Sequence, residues 1–157
     1  MTNMKRRTFL KGTLASSMLG VAVGSGLLAP RMVLAAWPKS AFDAKTVDEA
    51  LTALYESKST TDSGDIKIKA PDIAENGAVV PITISTNLNN IDSIAIMVEK
   101  NPSPLAAKFN FASNTEGFVS TRVKMGKTSK LVAVVKSGGK VYSASKEVKV
   151  TIGGCGG

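Results

Sequence analysis

The residues with the clearest chemical potential are the last five, Gly153-Gly154-Cys155-Gly156-Gly157. Cys155 is the only cysteine in the chain, and there is no histidine. A Ser/His/Asp triad, a histidine-ligated metal centre and an internal disulfide are therefore excluded, which leaves one thiol to account for. Glycine buries nothing and costs the most entropy to fix, so the pattern predicts a mobile arm in which Gly153, Gly154, Gly156 and Gly157 supply the flexibility. Lone cysteines are usually small core residues, and this setting argues against that role. From Ile152 to Cys155 the arm spans about 10 Å at roughly 3.5 Å per residue. With no side chain beside the sulfur, it can pass into a channel little wider than the backbone. The sequence places no acid, base or helix N-terminus beside the thiol to activate it. Cys155 therefore reads as an attachment point activated by whichever enzyme the arm visits. No catalytic residue, cofactor site or metal site is read in the chain.

The other end reads as an address. Arg6-Arg7 precedes Phe9-Leu10-Lys11, and an uncharged stretch from Gly12 to Pro30 leads to Arg31 and the small pair Ala35-Ala36. That order matches a twin-arginine export signal over residues 1–36, with cleavage after Ala35 or Ala36. An uncleaved anchor is the competing reading, since a spanning helix needs about 20 apolar residues. Gly12, Gly20, Gly24 and Gly26, with three serines among them, make the run weakly apolar and favour a removable signal. Export by this route predicts a periplasmic protein that crosses the membrane folded, in company with a partner. An oxidising compartment also sharpens the question of why one cysteine is kept unpaired.

An arm needs a body, and the 157 residues allow about one domain, expected here over 37–152. Thr46 to Lys58 has helical spacing of Val47, Ala50, Leu51, Leu54 and Tyr55, opened by a capping box of Thr46 and Glu49. From Asp65 the period becomes two: Ile66 and Ile68; Val80, Ile82 and Ile84; Ile94, Ile96 and Val98; Leu105, Ala107, Phe109 and Phe111; Val119, Thr121, Val123 and Met125. Leu131 to Val135 is continuously apolar, as a central strand requires, and a last strand from near Val141 ends on Val148, Val150 and Ile152. Turn residues separate these runs at Asn76-Gly77, Asn87 to Asn90, Asn101 to Pro104, Ser113 to Gly117, Gly126 and Ser137 to Gly139. The fold class is accordingly mainly β, an immunoglobulin-like antiparallel β-sandwich of about seven strands preceded by one N-terminal α-helix. Pro81, inside a strand, is expected at an edge, a bulge or a strand start, and Pro102 and Pro104 beside an irregular edge.

The formal charge of +8 belongs partly to the signal: residues 1–36 hold five Lys or Arg and no acid, so the remainder carries +3. Residues 37–100 sum to −4 and residues 101–157 to +7, which suggests a negatively charged partner or cargo for the C-terminal half. Arg122, Lys124, Lys127 and Lys130 either steer such an anion or solvate a strand and turn, the latter being favoured. Nucleic acid fits poorly, with so few aromatics for stacking, and no membrane partner is expected once the signal is removed.

The terminal motif, with Pro71 to Ile82, Asn101 to Phe109, Thr121 to Met125 and Val148 to Ile152, resembles the SoxY family of thiosulfate-oxidation carriers across nearly all of residues 37–157. The resemblance implies that Cys155 is the covalent attachment site for sulfur intermediates and that the chain is a carrier, not an enzyme. It implies a smaller β-sandwich partner, SoxZ. A c-type haem enzyme would join thiosulfate to the cysteine, a manganese hydrolase would remove sulfate, and a sulfur dehydrogenase would oxidise the sulfur that remains. Two other readings stay open on the residues alone. One is a structural sandwich subunit using Cys155 for an intermolecular disulfide. The other is a carrier for sulfide or another sulfane donor.

Overall fold

The computed structural model describes residues 38–113 and 115–151. The chain divides between Trp37 and Pro38 into two units, and the described residues all belong to the second. The expected signal over 1–36 and the expected arm, Gly153, Gly154, Cys155, Gly156 and Gly157, lie outside the described residues.

Two short helices come first. Helix α1 (Lys39–Asp43) is too short to leave a periodic signal and was not legible in the sequence. Helix α2 (Val47–Tyr55) begins where the cap chemistry places it: the Thr46 side chain accepts from the Glu49 amide at 3.2 Å. The Glu49 carboxylate reaches back one residue further than a simple capping box requires, accepting from the Lys45 amide at 2.8 Å. The helix stops at Tyr55, short of Lys58, because Glu56 turns left-handed (φ 57°) and donates its amide to the Thr52 carbonyl.

Nine strands follow among the described residues: β1 (Thr61–Asp62), β2 (Ile66–Lys69), β3 (Ile73–Ala74), β4 (Val80–Thr86), β5 (Ile91–Val98), β6 (Leu105–Asn110), β7 (Phe118–Val123), β8 (Ser129–Ser137) and β9 (Lys140–Val150). Seven are the strands expected from the alternating and continuously apolar runs, and β1 and β3 are two-residue additions. They form a larger sheet in the order β1-β9-β8-β5-β6, with β3 also paired to β9, and a smaller sheet β2-β4-β7. The seven longer strands pair antiparallel, whereas β1 and β3 run parallel to β9. Between the sheets lies the main core, with Val80, Ile82 and Ile84 of β4 facing Ile94, Ile96 and Val98 of β5 and Leu131, Ala133 and Val135 of β8. Met125 completes its alternation into this core, 1% exposed, although β7 ends two residues earlier.

The second face of the larger sheet is also covered. Ala50 and Leu51, flanked by Val47, Leu54 and Tyr55, pack with Ala41 and Ala44 on Ala95, Met97, Leu105 and Val134. Strands β5 and β8 are thus buried on both faces, which explains why Leu131–Val135 shows no alternation. Fully burying a residue such as Leu51 contributes roughly 1.5–3 kcal/mol, so this stripe, rather than helix propensity, holds α2. Pro81 sits opposite Arg122 of β7, beyond the end of the β2 ladder, which runs only from Thr83 to Thr86 of β4. Its missing amide therefore costs that side no ladder bond. Pro104 directly precedes the edge strand β6, and its carbonyl accepts from the Val98 amide beside a register shift at Ile96/Met97.

Candidate functional site

Cys155 and its four glycines cannot be placed from the described residues, but the segment that carries them can. Strand β9 ends at Val150, and Thr151 is exposed. On one flank, β3 pairs in parallel with the last residues of β9, Ile73 with Lys149 and Ala74 with Val150. The Lys149 amide donates to the Asp72 carbonyl at 2.9 Å and the Thr151 amide to the Ala74 carbonyl at 3.1 Å. On the other flank the Thr128 hydroxyl accepts from the Val150 amide at 3.0 Å. The backbone leading to the arm is therefore held from both sides until four residues before the cysteine.

Five further contacts hold the clamp. The Lys146 ammonium donates to the Ala70 carbonyl at 2.6 Å and pairs with the Asp72 carboxylate at 3.0 Å, fixing the start of β3. The Met125 amide donates to the Gly77 carbonyl at 2.7 Å. A Cβ at residue 77 would fall 2.3 Å from the Met125 oxygen and 2.8 Å from Val150 Cγ1, so only glycine permits this approach. The Asn101 side chain ties down the 124–126 turn, donating to the Lys124 carbonyl at 2.7 Å and accepting from the Gly126 amide at 3.1 Å. Sequence reasoning marked Asn76-Gly77 and Gly126 as turns but missed the clamp, because no local pattern announces a parallel pairing between segments more than 70 residues apart.

Arg122, Lys124, Lys127 and Lys130 are all exposed, and none makes an ion pair among the described residues. The structure brings Lys124 and Lys127 to the same end of the sandwich as the arm root, on either side of Met125 and next to Thr128. Large exposed apolar side chains occur at Ile73 and Val79, also at this end, and at Phe118.

The opposite end of the sandwich holds a hollow of about 520 Å³ between the β4–β5 and β6–β7 loops, lined mainly by polar residues such as Asn87, Asn89 and Asn90. Glu116 is its one ionisable lining residue, so it offers no acid–base pair. Tyr55, the last residue of α2, is a half-buried titratable group. Burial pushes its hydroxyl above 10.0, partly offset by a hydrogen bond with Ser93 at 3.4 Å. No group of three or more His, Cys, Asp or Glu able to hold a metal occurs among the described residues. No described helix is long and apolar enough to cross a membrane.

The comparisons with known proteins agree with this geometry. The family model described as sulfur oxidation protein SoxY matches residues 51–155, so the match runs from α2 through both sheets to the cysteine itself. The chain belongs to the SoxY family. Among solved structures, the sulfur carrier protein SoxY from Chlorobium limicola f thiosulfatophilum is 44% identical with a TM-score of 0.63, covering 73% of this chain and 99% of that one. A chain in a structure of T cell activation by toxic shock syndrome toxin-1 reaches a TM-score of only 0.40 at 13% identity, covering 55% of this chain and 99% of that chain, and carries no functional weight. The search of curated protein sequences gives no significant match.

Proposed function

We propose that this SoxY-family chain is a covalent carrier of sulfur intermediates in thiosulfate oxidation, with Cys155 as the attachment site. One observation supports the reading above the others: the chain's sole cysteine lies four residues beyond a root clamped by β3 and Thr128, at the end of a domain with no catalytic constellation among the described residues. A fixed root with a glycine-flanked thiol separates two tasks. The body supplies recognition, and the arm supplies reach.

In the proposed cycle, the outer sulfur of thiosulfate bonds to Cys155 Sγ with loss of the thiol proton and two electrons, which pass to the c-type haem enzyme and its acceptor. Water then cleaves the terminal sulfonate of the Cys-S-S-sulfonate as sulfate at the manganese hydrolase, leaving a persulfide. Oxidation of that outer sulfur by a sulfur dehydrogenase removes six electrons and takes up three waters, giving a Cys-S-sulfonate. A second hydrolysis releases sulfate and restores the thiol. The chain itself contributes only the nucleophilic sulfur and its delivery. A SoxZ-like sandwich subunit accompanies it throughout, and the working location is the periplasm, reached by the twin-arginine route.

The test is intact-mass spectrometry of the mature chain after incubation with thiosulfate, the haem enzyme and an electron acceptor. A thiosulfate adduct is expected on the wild type and none on Cys155→Ala. An adduct on the alanine variant, or none on either protein, would sink the assignment.

A further inference from the structure

Reach sets a condition on where the carrier must touch its enzymes. Thr151 is the last described residue, bonded to Ala74, and Cys155 follows four residues later. At roughly 3.5 Å per residue the sulfur travels at most about 14 Å from the sandwich. An enzyme whose reacting centre lies below its surface must therefore receive nearly the whole arm. The end of the sandwich around the root then rests against the mouth of that site. The same holds for every enzyme in the cycle, so this end is a shared interface.

Its composition is unlike that of the other end. Around the root, segments 72–79, 99–103, 122–130 and 146–151 hold seven Lys or Arg against four Asp or Glu, net +3. At the far end, segments 61–67, 86–92, 111–118 and 136–141 hold three against four, net −1. Asp72 and Lys146 pair with each other there, which leaves the net charge unchanged. Within the basic field stand two large apolar side chains, Ile73 at 57% and Val79 at 50% exposure, where this fold leaves few such residues in water. Charge separated between the two ends of the sandwich would orient it root-first toward a negative surface.

We infer that Ile73, Val79, Lys124, Lys127 and Lys149 form the docking surface for the enzymes that load and unload the arm, and that those enzymes present an acidic rim around an apolar channel mouth. The inference rests on the carrier reading. A second copy of this chain is a poor occupant, since two such ends repel.

The test measures loading of thiosulfate on Cys155 by the haem enzyme, with an electron acceptor, as a function of carrier concentration and salt. The root triple Lys124→Glu, Lys127→Glu, Lys149→Glu is compared with a far-end triple of equal charge change, Lys67→Glu, Lys136→Glu, Lys140→Glu. The root triple should raise KM for the carrier at least tenfold with kcat unchanged, and the far-end triple should leave both near wild type. Wild-type KM should rise with salt, and the root triple should lose that dependence. Ile73→Ser with Val79→Ser should raise KM several-fold while keeping the salt slope. Unchanged Tm and unchanged alkylation of Cys155 by iodoacetamide show that fold and arm are intact. Wild-type KM in the root triple, or equal losses in both triples, would overturn the docking surface while leaving the carrier reading in place. A wild type that gains no mass at any concentration would overturn both.

Discussion

A single side chain can be placed by what it would cost to move it. Gly77 is the clearest case, since any Cβ would strike the Met125 carbonyl and displace Val150 just before the arm. Tyr55 is a different kind of constraint. Its half-buried side chain sets the hydroxyl 3.4 Å from that of Ser93, and the Lys108 ammonium lies 5.8 Å from its ring centroid. Burial raises the ionisation of Tyr55 above the ordinary value of 10.0. Because the folded state holds the proton more tightly than the unfolded chain, the stabilisation is fully present below about pH 10 and is lost as pH rises beyond it. The difference in unfolding free energy between wild type and Tyr55→Phe should therefore be flat below pH 10. Above it the phenylalanine variant should become relatively more stable, as read from urea unfolding at a series of pH values. A pH-independent difference up to pH 11 would contradict the burial. The sequence placed Tyr55 on the inward stripe of a helix, but only the packing showed which hydroxyl it meets.

At the level of elements, the root of the arm is a composite of β3, the end of β9 and the 124–128 turn. Its most dispensable-looking member is Thr128, which was unmarked in the sequence. Thr128→Val should remove the bond to the Val150 amide at a cost of about 1 kcal/mol. Amide exchange at Val150 should accelerate about fivefold while the β5–β8 ladder stays protected, and equal exchange in both proteins would show that β3 alone holds the root. The longer elements were legible because their periods are strong: all seven alternating or apolar runs became strands, and the Thr46 cap opens its helix. The elements that went unread, α1, β1 and β3, are two to five residues long. They exist because neighbours complete them. Strand β3 draws its pairing from β9, and α1 is held by burial of Ala41 and by the Ser103 hydroxyl donating to the Phe42 carbonyl.

For the whole molecule, the proposed work divides among an address, a body and an arm. The paired arginines carry the address in the proposed route, so replacing Arg6 and Arg7 with lysine should leave a folded precursor in the cytoplasm. Fractionation and N-terminal sequencing would detect it, and a mature chain beginning near Trp37 in the periplasm of that variant would refute the route. The fold class, the inward faces of strands and helix, the missing histidine and the solitary thiol were determined by sequence alone, since composition and period act locally and need no partner. The parallel clamp at the arm root, the burial of β5 and β8 on both faces, and the gathering of Ile73, Val79, Lys124, Lys127 and Lys149 at one end were decided only by tertiary structure. Each joins segments far apart in the chain, and nothing within any one of them encodes what it will meet.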